Sequence, residues 1–441
     1  MGEKPFSAVA TVPENDIWQT AIHRERKLYT HENDKREAFE RDFTRILHSL
    51  GYRRLKHKTQ VFFNTHNDHI CTRMEHVQHV ASVSHTIAHT LGLNTELTNA
   101  IATGHDLGHA PFGHQGETVL KNLVRQFTDE PFFHEKNSLI FVDDIELLED
   151  AQCHLCNLNL TYAVRDGLIS HCGEIDENHL KPRTQRIDLR SQFQYSGQYQ
   201  PFTWEGCVVK VSDKIAYLGR DIEDAARLNF LDEDSHTILT KIGEVYHVPS
   251  LHMVNTSVLI STLISDLCQH SNPLDGLQFS QNILHLLNEI KAYNSTYIYN
   301  NEKFHYYKQY VKLVLTTLYT ELSHWYAAEN TFDAIHRQER WCEELAKGFG
   351  NWLALYCEPD IVTQSYSFQE VQKADNRKIY GNLTNPVQYK RAIVDYIAGM
   401  TDPYAIVLIR PKKLDNISEK NYSSNRKGLL SVNCRRLALS F

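Results

Sequence analysis

Hydrophobic residues recur at intervals of three or four along most of the chain, which is the spacing of a helix with one buried face. The clearest case is residues 74–91, which end at Gly92, and residues 35–50 show the same spacing and end at Gly51. Further segments share the pattern: 96–107, 115–127, 205–229, 252–269, 279–293, 304–327, 330–357 and 388–400. A strand is indicated only near residues 406–410, so the pattern predicts an all-α fold.

Polar stretches suggest how these helices are grouped. We expect an N-terminal helical segment, a helical core, a C-terminal helical region packed on that core and a flexible tail, at residues 1–50, 51–235, 236–410 and 411–441 respectively. The tail is expected because residues 411–430 carry few apolar anchors. A polar and aromatic stretch at about 176–203 is expected to form a long loop or a lid.

The composition is that of an ordinary globular enzyme. Of the 441 residues, 41% are hydrophobic and 23% are charged, and the formal net charge is −8. A negative chain has no overall attraction to nucleic acid or to an anionic membrane. A local basic cluster could still bind single-stranded DNA, or could simply be a solvated face; its members are Arg53, Arg54, Lys56, His57 and Lys58.

The cysteines and the lack of long apolar runs indicate a cellular compartment. The nine cysteines are scattered, and the chain has no signal-peptide pattern and no apolar run long enough to cross a bilayer. We therefore expect a cytoplasmic protein with reduced thiols and no membrane partner. Cys153 and Cys156, followed by His171 and Cys172, could form a zinc site. They could equally be structural thiols, because a single CxxC pair is weak evidence.

Histidine gives the first indication of chemistry. The chain has 25 histidines, many of them between residues 57 and 134, and imidazole is the commonest neutral metal ligand. His105 and Asp106 are adjacent near a predicted helix end and can offer one nitrogen and one oxygen to a single ion. Gly108 and Pro111 then break the helix, which frees side chains to converge on a pocket. The candidates that follow within about a dozen residues are His109, His114 and Glu117.

Two distant segments can complete such a site. Arg73 and His76 are three residues apart, so they share a helix face. Asp213, Tyr217 and Asp221 are spaced by four and form one stripe of a later helix. Taken alone, the stripe would be interpreted as a solvated charged face. Together with the histidines, it supplies the further ligands that an ion needs.

The order of His76, the His105-Asp106 pair and Asp213 is the signature of the HD superfamily. Longer strings closely resemble the deoxynucleoside triphosphate triphosphohydrolases, the dGTPase-like group; they lie at 54–62, 72–76, 105–117 and 213–221. Weaker likenesses lie at 158–161, 166–171 and 399–402, so the resemblance covers about residues 40 to 405. It implies an HD-domain helical core with additional C-terminal helices.

The resemblance also implies a metal site. Four residues would bind one divalent ion, Mn2+ or Mg2+: His76, His105, Asp106 and Asp213. The ligand types do not fix the metal, because mixed histidine and carboxylate ligation suits several ions. An alternative adds a second ion near His134 and His171.

Further roles are implied position by position. His114 matches the catalytic histidine at the leaving oxygen, Glu117 would orient it, and His109 matches a histidine at the phosphates. The substrate-binding set is Gln60, Arg73, His134, Lys214, Tyr217 and Asp221. Within that set, Gln60 and Asp221 match residues that bind the deoxyribose, and the others match positions at or near the phosphates.

The implied reaction is attack of water at the α-phosphorus of a deoxynucleoside triphosphate, which yields a deoxynucleoside and inorganic triphosphate. One alternative is an HD phosphohydrolase that acts on a monophosphate, a cyclic nucleotide or a guanosine polyphosphate. A second is a nucleotide- or nucleic-acid-binding regulator that has lost catalysis, whose sign would be the loss of a metal ligand or of His114; all of these residues are present. The family resemblance further implies a homo-oligomer, often a hexamer, in some cases with an allosteric nucleotide.

Overall fold

The secondary structure is almost entirely helical, which confirms the predicted all-α class. The computed structural model describes residues 4–28, 33–63, 67–172, 178–248, 256–363, 366 and 368–409. The α-helices within these ranges are α1 (Trp18–Ala21), α2 (Ala38–His48), α3 (Leu50–Arg54), α4 (Arg73–Leu91), α5 (Thr95–Gly104), α6 (Gly113–Val124), α7 (His134–Ile140), α8 (Tyr162–Ser170), α9 (Trp204–Arg227), α10 (Glu233–Val245), α11 (Thr256–His270), α12 (Gln281–Asn294), α13 (His305–His324), α14 (Thr331–Ala354), α15 (Phe368–Lys373), α16 (Pro386–Ala398) and α17 (Asp402–Ile409).

The β-structure of the described residues includes one short antiparallel pair. Strands β1 (Leu147–Glu149) and β2 (Leu155–Asn157) pair with Leu148 opposite Cys156. The remaining regular structure is short 3-10 or π turns at Ser7–Val9, Leu55–His57, Phe141–Ile145, Ser295–Tyr299, Glu302–Phe304, Ala328–Asn330 and Pro359–Ile361.

The local sequence explains where helix α4 begins and ends. Thr72 and Glu75 form a reciprocal capping box, in which the Glu75 carboxylate accepts the Thr72 backbone N–H at 2.7 Å. Gly92 ends the helix in the left-handed region at φ 88°, where a glycine is favoured. The predicted helix at 74–91 is therefore confirmed, and it holds Arg73 and His76 in its first turn.

Two of the local predictions are wrong. Residues 406–410 do not form a strand, because helix α17 runs to Ile409 and packs the buried Ala405 and Leu408 against the core. A short apolar run fits a buried helix as well as a strand, and the tertiary packing decided here. The helix predicted at 35–50 does not end at Gly51: Ser49 interrupts it in an extended conformation and caps α3.

The sequence pattern missed helices α1, α3, α7, α8, α10 and α15; all of them except α10 have nine residues or fewer. Two of them, α7 and α8, turn out to support the candidate site. The described part of the stretch at 176–203 is a loop, as predicted, and Arg183 ties it to α8 through Asp166 and the Tyr162 hydroxyl. Its function as a lid stays a prediction, as do the segment boundaries near 50, 235 and 410. The predicted tail at 411–441 lies outside the described residues.

Helices α4, α5, α8 and α9 pack together around a shared apolar core. Val77, Ile101, Leu168 and Val209 contribute one fully buried side chain from each of these helices. A second cluster joins α13, α14 and α16 behind α6, and a third joins α9 to α11 and α12. The polar ends of α4, α5, α8 and the middle of α9 therefore meet at one place on a rigid frame.

The basic cluster predicted at 53–58 is not one surface. Lys58 is buried, and its ammonium group donates to the backbone carbonyls of His109 and Ala398. Arg54 pairs with the Glu146 carboxylate. Exposed cationic or titratable side chains remain at Arg53, Lys56 and His57.

No single helix among the described residues is long and apolar enough to cross a membrane. Helices α16 and α17 reach that length and apolar character only together, and they meet at a bend of 117°.

Candidate active site

The chain leaves α5 through a turn that α7 holds in place. An added Cβ on Gly108 would lie 2.1 Å from the Ser138 backbone nitrogen, so only glycine fits. The Ser138 hydroxyl accepts the Gly108 N–H and donates to the His105 carbonyl, both at 2.9 Å. Asn137 donates to the Gly108 carbonyl at 2.6 Å. These contacts fix the direction in which the His105 and Asp106 side chains leave the turn.

A second clamp fixes the start of α6. Phe112 and Gly113 both have positive φ angles, of 65° and 59°, and this unusual turn delivers His114 on the first turn of the helix. The Asp402 carboxylate accepts the backbone N–H of Phe112 at 2.7 Å and that of Thr59 at 2.9 Å. The 58–60 segment is thereby tied to the wall of the site.

The four predicted metal ligands converge. His76 Nε2 lies 2.9 Å from Asp213 Oδ1, and His105 Nε2 lies 3.5 Å from Asp106 Oδ1 and 3.9 Å from Asp213 Oδ1. His76 Nε2 and Asp106 Oδ2 are 4.0 Å apart. Three separate parts of the chain, at the start of α4, the end of α5 and the middle of α9, therefore direct two nitrogens and two carboxylates at one point.

The donor set fits a cation. His105 Nδ1 lies 2.7 Å from the Ala102 carbonyl, so Nδ1 carries the proton and Nε2 presents its lone pair to the cluster. His105 Nε2 is buried and has no hydrogen-bond partner, which is rare for a buried polar atom. Both carboxylates carry depressed pKa values despite burial: that of Asp213 is about 2, chiefly through His76, and that of Asp106 is lowered by His109, His105 and Arg73.

Next to this cluster lies a row of three histidines and a carboxylate. His109 Nε2 is 3.2 Å from Asp106 Oδ1, and the His109 and His134 rings stack with centroids 3.9 Å apart. Glu117 accepts the backbone N–H of His134 at 3.0 Å and lies 3.1 Å from His134 Nδ1. The predicted partner of Glu117, His114, is farther away, with Nδ1 3.7 Å from the carboxylate and 68% of its side chain exposed.

The surroundings of His134, His109 and Glu117 shift their pKa values in different directions, so the three side chains differ in charge. Burial opposes charge on His134, but Glu135 and Glu117 outweigh it and raise the pKa of His134 to about 10. Burial, together with the charges of Arg73 and His134, holds the pKa of His109 well below its usual value. Despite burial, the His134 charge and the histidine hydrogen bonds hold the pKa of Glu117 far below its usual value. The row therefore combines a cation, a neutral imidazole and a carboxylate.

Arg73 joins the two groups. Its side chain is buried, and Nη1 donates to Asp106 Oδ2 at 2.6 Å. The Nε and Nη2 groups on the opposite edge are buried without partners. A guanidinium edge of this kind matches two oxygens of a phosphate. Gln60 similarly has a buried Oε1 without a partner.

The predicted stripe on α9 is divided between environments. Asp221 is buried and accepts a hydrogen bond from the Tyr299 hydroxyl at 2.5 Å; burial raises its pKa to about 7. Tyr217 packs against the apolar cluster of α9, α11 and α12. Lys214 is buried and lines a small cavity with Leu267 and Phe279. Tyr299 comes from a π turn that gave no sequence signal.

The zinc site considered for Cys153 and Cys156 is not formed. Among the described residues, no cluster of metal-binding side chains includes either thiol, and Cys153 is exposed. Cys172 and His171 instead lie with His134, beside the predicted metal ligands.

Comparisons with known proteins agree with this geometry. Residues 73–218 match the HD domain, and residues 369–410 match the phosphohydrolase-associated domain. A deoxyguanosinetriphosphate triphosphohydrolase-like protein of Caldanaerobacter subterraneus subsp. tengcongensis is 31% identical over 85% of this chain and 84% of its own. Proteins with the same description are 30% identical in Rickettsia bellii (84% of this chain, 90% of the relative) and 38% identical in Desulfatibacillum aliphaticivorans (60% and 66%). The chain therefore belongs to the deoxyguanosinetriphosphate triphosphohydrolase-like family of HD-domain phosphohydrolases.

Proposed function

We propose that the protein hydrolyses deoxynucleoside triphosphates to a deoxynucleoside and inorganic triphosphate, by attack of water at the α-phosphorus. The observation that carries this proposal is the buried Arg73, whose free Nε and Nη2 edge lies beside the metal-binding carboxylate Asp106. A buried cationic fork without partners calls for an anionic ligand with two oxygens. The names of the relatives, which refer to dGTP hydrolysis, support the same substrate class.

We propose His76, His105, Asp106 and Asp213 as the ligands of one divalent ion. Mn2+ fits this set better than Mg2+, because Mg2+ is bound almost entirely through oxygen and two of the four donors are imidazoles. When bound, the ion would supply Lewis-acid polarisation of the phosphate.

The other side chains of the site have separate proposed roles in binding the phosphates and in proton transfer. Arg73 holds Asp106 with one nitrogen and the phosphate with its free edge. His134, whose pKa of about 10 keeps it protonated at neutral pH, offers a second cation to the phosphates. His114, exposed at the open side of the row, donates the proton to the leaving 5′-oxygen, a contribution of about 10²- to 10⁴-fold. Glu117 holds His134, and His109, kept neutral, separates that pair from Asp106.

We propose that Gln60 and Asp221 recognise the sugar. Gln60 has a free buried oxygen, and Asp221 has one oxygen occupied by Tyr299 and a second available to the 3′-hydroxyl. Lys214 and Tyr217 stay proposed phosphate-binding residues. A homo-oligomer, a hexamer in particular, an allosteric nucleotide and a cytoplasmic location likewise stay predictions.

The experiment is a product assay. The purified chain is incubated with Mn2+ and each of the four dNTPs separately, then with all four, and the phosphate product is identified. We expect intact triphosphate and deoxynucleoside. Activity only in the mixture would indicate activation by a second nucleotide. Release of pyrophosphate or orthophosphate instead of intact triphosphate would refute cleavage of the bond between the 5′-oxygen and the α-phosphorus. Turnover of only a monophosphate, cyclic nucleotide or guanosine polyphosphate would favour the alternative HD phosphohydrolase.

A further inference from the structure

Phe112, two residues before His114, is held by three separate contacts. Its backbone N–H donates to the Asp402 carboxylate at 2.7 Å, and its carbonyl accepts a hydrogen bond from the Tyr307 hydroxyl at 3.0 Å. Its buried ring meets the Phe63 ring edge-on, with centroids 5.2 Å apart. The N–H, the carbonyl and the side chain of one residue are therefore each fixed by a different part of the chain.

These contacts matter because Phe112 has an unfavourable backbone conformation. At φ 65° and ψ 23° it lies in the left-handed region, which a bulky L-residue rarely adopts. Such a conformation persists only where the surroundings over-determine it, and it is concentrated at functional sites. Helix α6 begins at the next residue, so the direction of its first turn depends on Phe112.

Lys58 holds the other end of the same turn. Its buried ammonium group donates to the backbone carbonyls of His109 and Ala398. Ala398 ends α16 and Asp402 begins α17, so both lie in the segment 369–410 that matches the phosphohydrolase-associated domain. That segment therefore reaches the turn at both of its ends.

We propose that three side chains form a brace that holds the 109–113 turn and thereby aims the His114 imidazole at the leaving oxygen. The brace consists of Tyr307, Asp402 and Lys58, which act as positioning residues. Because 68% of the His114 side chain is exposed, the backbone of the turn sets its direction more than packing does. The inference rests on the proposed function, in which His114 is the proton donor, and a displacement of about 1 Å can slow a reaction by about 100-fold.

The first test compares two tyrosines that differ only in what they hold. Tyr307→Phe removes the hydroxyl from the brace and keeps the ring. The matched control is Tyr389→Phe, which removes a hydroxyl that donates to the Leu322 backbone carbonyl at 2.7 Å, near the opposite end of α13. Each variant loses one tyrosine-to-carbonyl hydrogen bond, so each should lower the Tm by about 1–3 °C.

The single-turnover rate is measured for both variants, alone and combined with His114→Ala, on the nucleotide that the wild type hydrolyses. Tyr307→Phe should slow the reaction by about tenfold and leave the half-saturating enzyme concentration within about twofold, whereas Tyr389→Phe should change neither. In the His114→Ala background, the loss from Tyr307→Phe should shrink to less than about twofold, because the brace acts through His114. No loss, an equal loss from both tyrosine variants, or an undiminished loss without His114 would overturn the proposal.

A second measurement needs no nucleotide. Amide hydrogen exchange in peptides that cover residues 109–116 reports how often the turn opens. Exchange should be about 3- to 10-fold faster in Tyr307→Phe and unchanged in Tyr389→Phe. It should be faster still in Asp402→Asn, which replaces one of two accepting oxygens with a donor. Unchanged exchange in both brace variants would overturn the brace. If the wild type releases no triphosphate from any dNTP, the proposed function fails, and the exchange rates still decide whether the brace exists.

Discussion

Replacement of Arg73 by lysine tests the proposed phosphate contact most directly. The guanidinium uses Nη1 for Asp106 and leaves Nε and Nη2 for the substrate. Lysine keeps the charge but has no fork, so it cannot hold Asp106 and grip two phosphate oxygens at once. The Arg73→Gln variant removes both the fork and the charge. The matched control is Arg53→Lys, at an exposed position before α4.

The magnitude follows from the bonds lost. A hydrogen bond to a charged group contributes about 1.5–3 kcal/mol, so the two free donors of Arg73 contribute about 3–6 kcal/mol to binding the transition state. At 1.36 kcal/mol for each factor of ten, Arg73→Gln should lower kcat/KM by roughly 10²- to 10⁴-fold. Arg73→Lys retains about one bond and should lower it by roughly 10- to 100-fold. Arg53→Lys should have no measurable effect.

The assay is steady-state triphosphate release from the preferred dNTP in Mn2+. Because Arg73 also neutralises Asp106, calorimetric Mn2+ titration and thermal unfolding of each variant separate a lost phosphate contact from a damaged metal site or fold. The reasoning is refuted if both Arg73 variants keep kcat/KM within about threefold of the wild type. It is also refuted if the whole loss is explained by weaker Mn2+ binding.

Three further perturbations test other parts of the site. His76→Asn should weaken Mn2+ binding by at least about 100-fold in calorimetry, because it removes a direct ligand, whereas His85→Asn, exposed on the same helix, should leave it intact; equal effects would contradict the assignment. Burial raises the pKa of Asp221 to about 7, so its ionisation destabilises the folded state progressively as pH rises from about 4 to 7. In denaturant titrations, Asp221→Asn should therefore be more stable than the wild type at pH 8, by on the order of 4 kcal/mol, and should lose that advantage below pH 4. A stability difference that does not depend on pH would contradict this reasoning. Gly108→Ala places a methyl group 2.1 Å from a backbone nitrogen and should cost about 3 kcal/mol of unfolding free energy, whereas Gly399→Ala, where the nearest atom is 3.4 Å away, should be near neutral in the same thermal scans.

Local sequence predicted the elements whose ends are marked by their own residues. The Thr72–Glu75 box and Gly92 define α4 without reference to the rest of the chain, because capping is satisfied within a few residues. The prediction of a strand at 406–410 was wrong because that segment has no such end signals. A run of apolar residues indicates that a segment is buried but does not indicate its conformation.

The sequence by itself also determined the chemistry available to the site. The order of His76, His105-Asp106 and Asp213, with the family resemblance around it, was enough to name the candidate ligands. The fold then places the His76 ring nitrogen within 4.0 Å of a carboxylate oxygen of both Asp106 and Asp213. Residue type limits what a side chain can donate, accept or bind, and that information needs no coordinates.

Only the tertiary structure decided how those groups are used. Glu117 contacts His134 more closely than His114, Tyr299 occupies one oxygen of Asp221, and Lys58 is a buried brace rather than part of a basic surface. Each of these contacts joins residues that no local periodicity connects. Their protonation follows from burial and from neighbours brought close by the packing of α4, α5, α7 and α9, because the energy of a charge depends on everything around it in three dimensions.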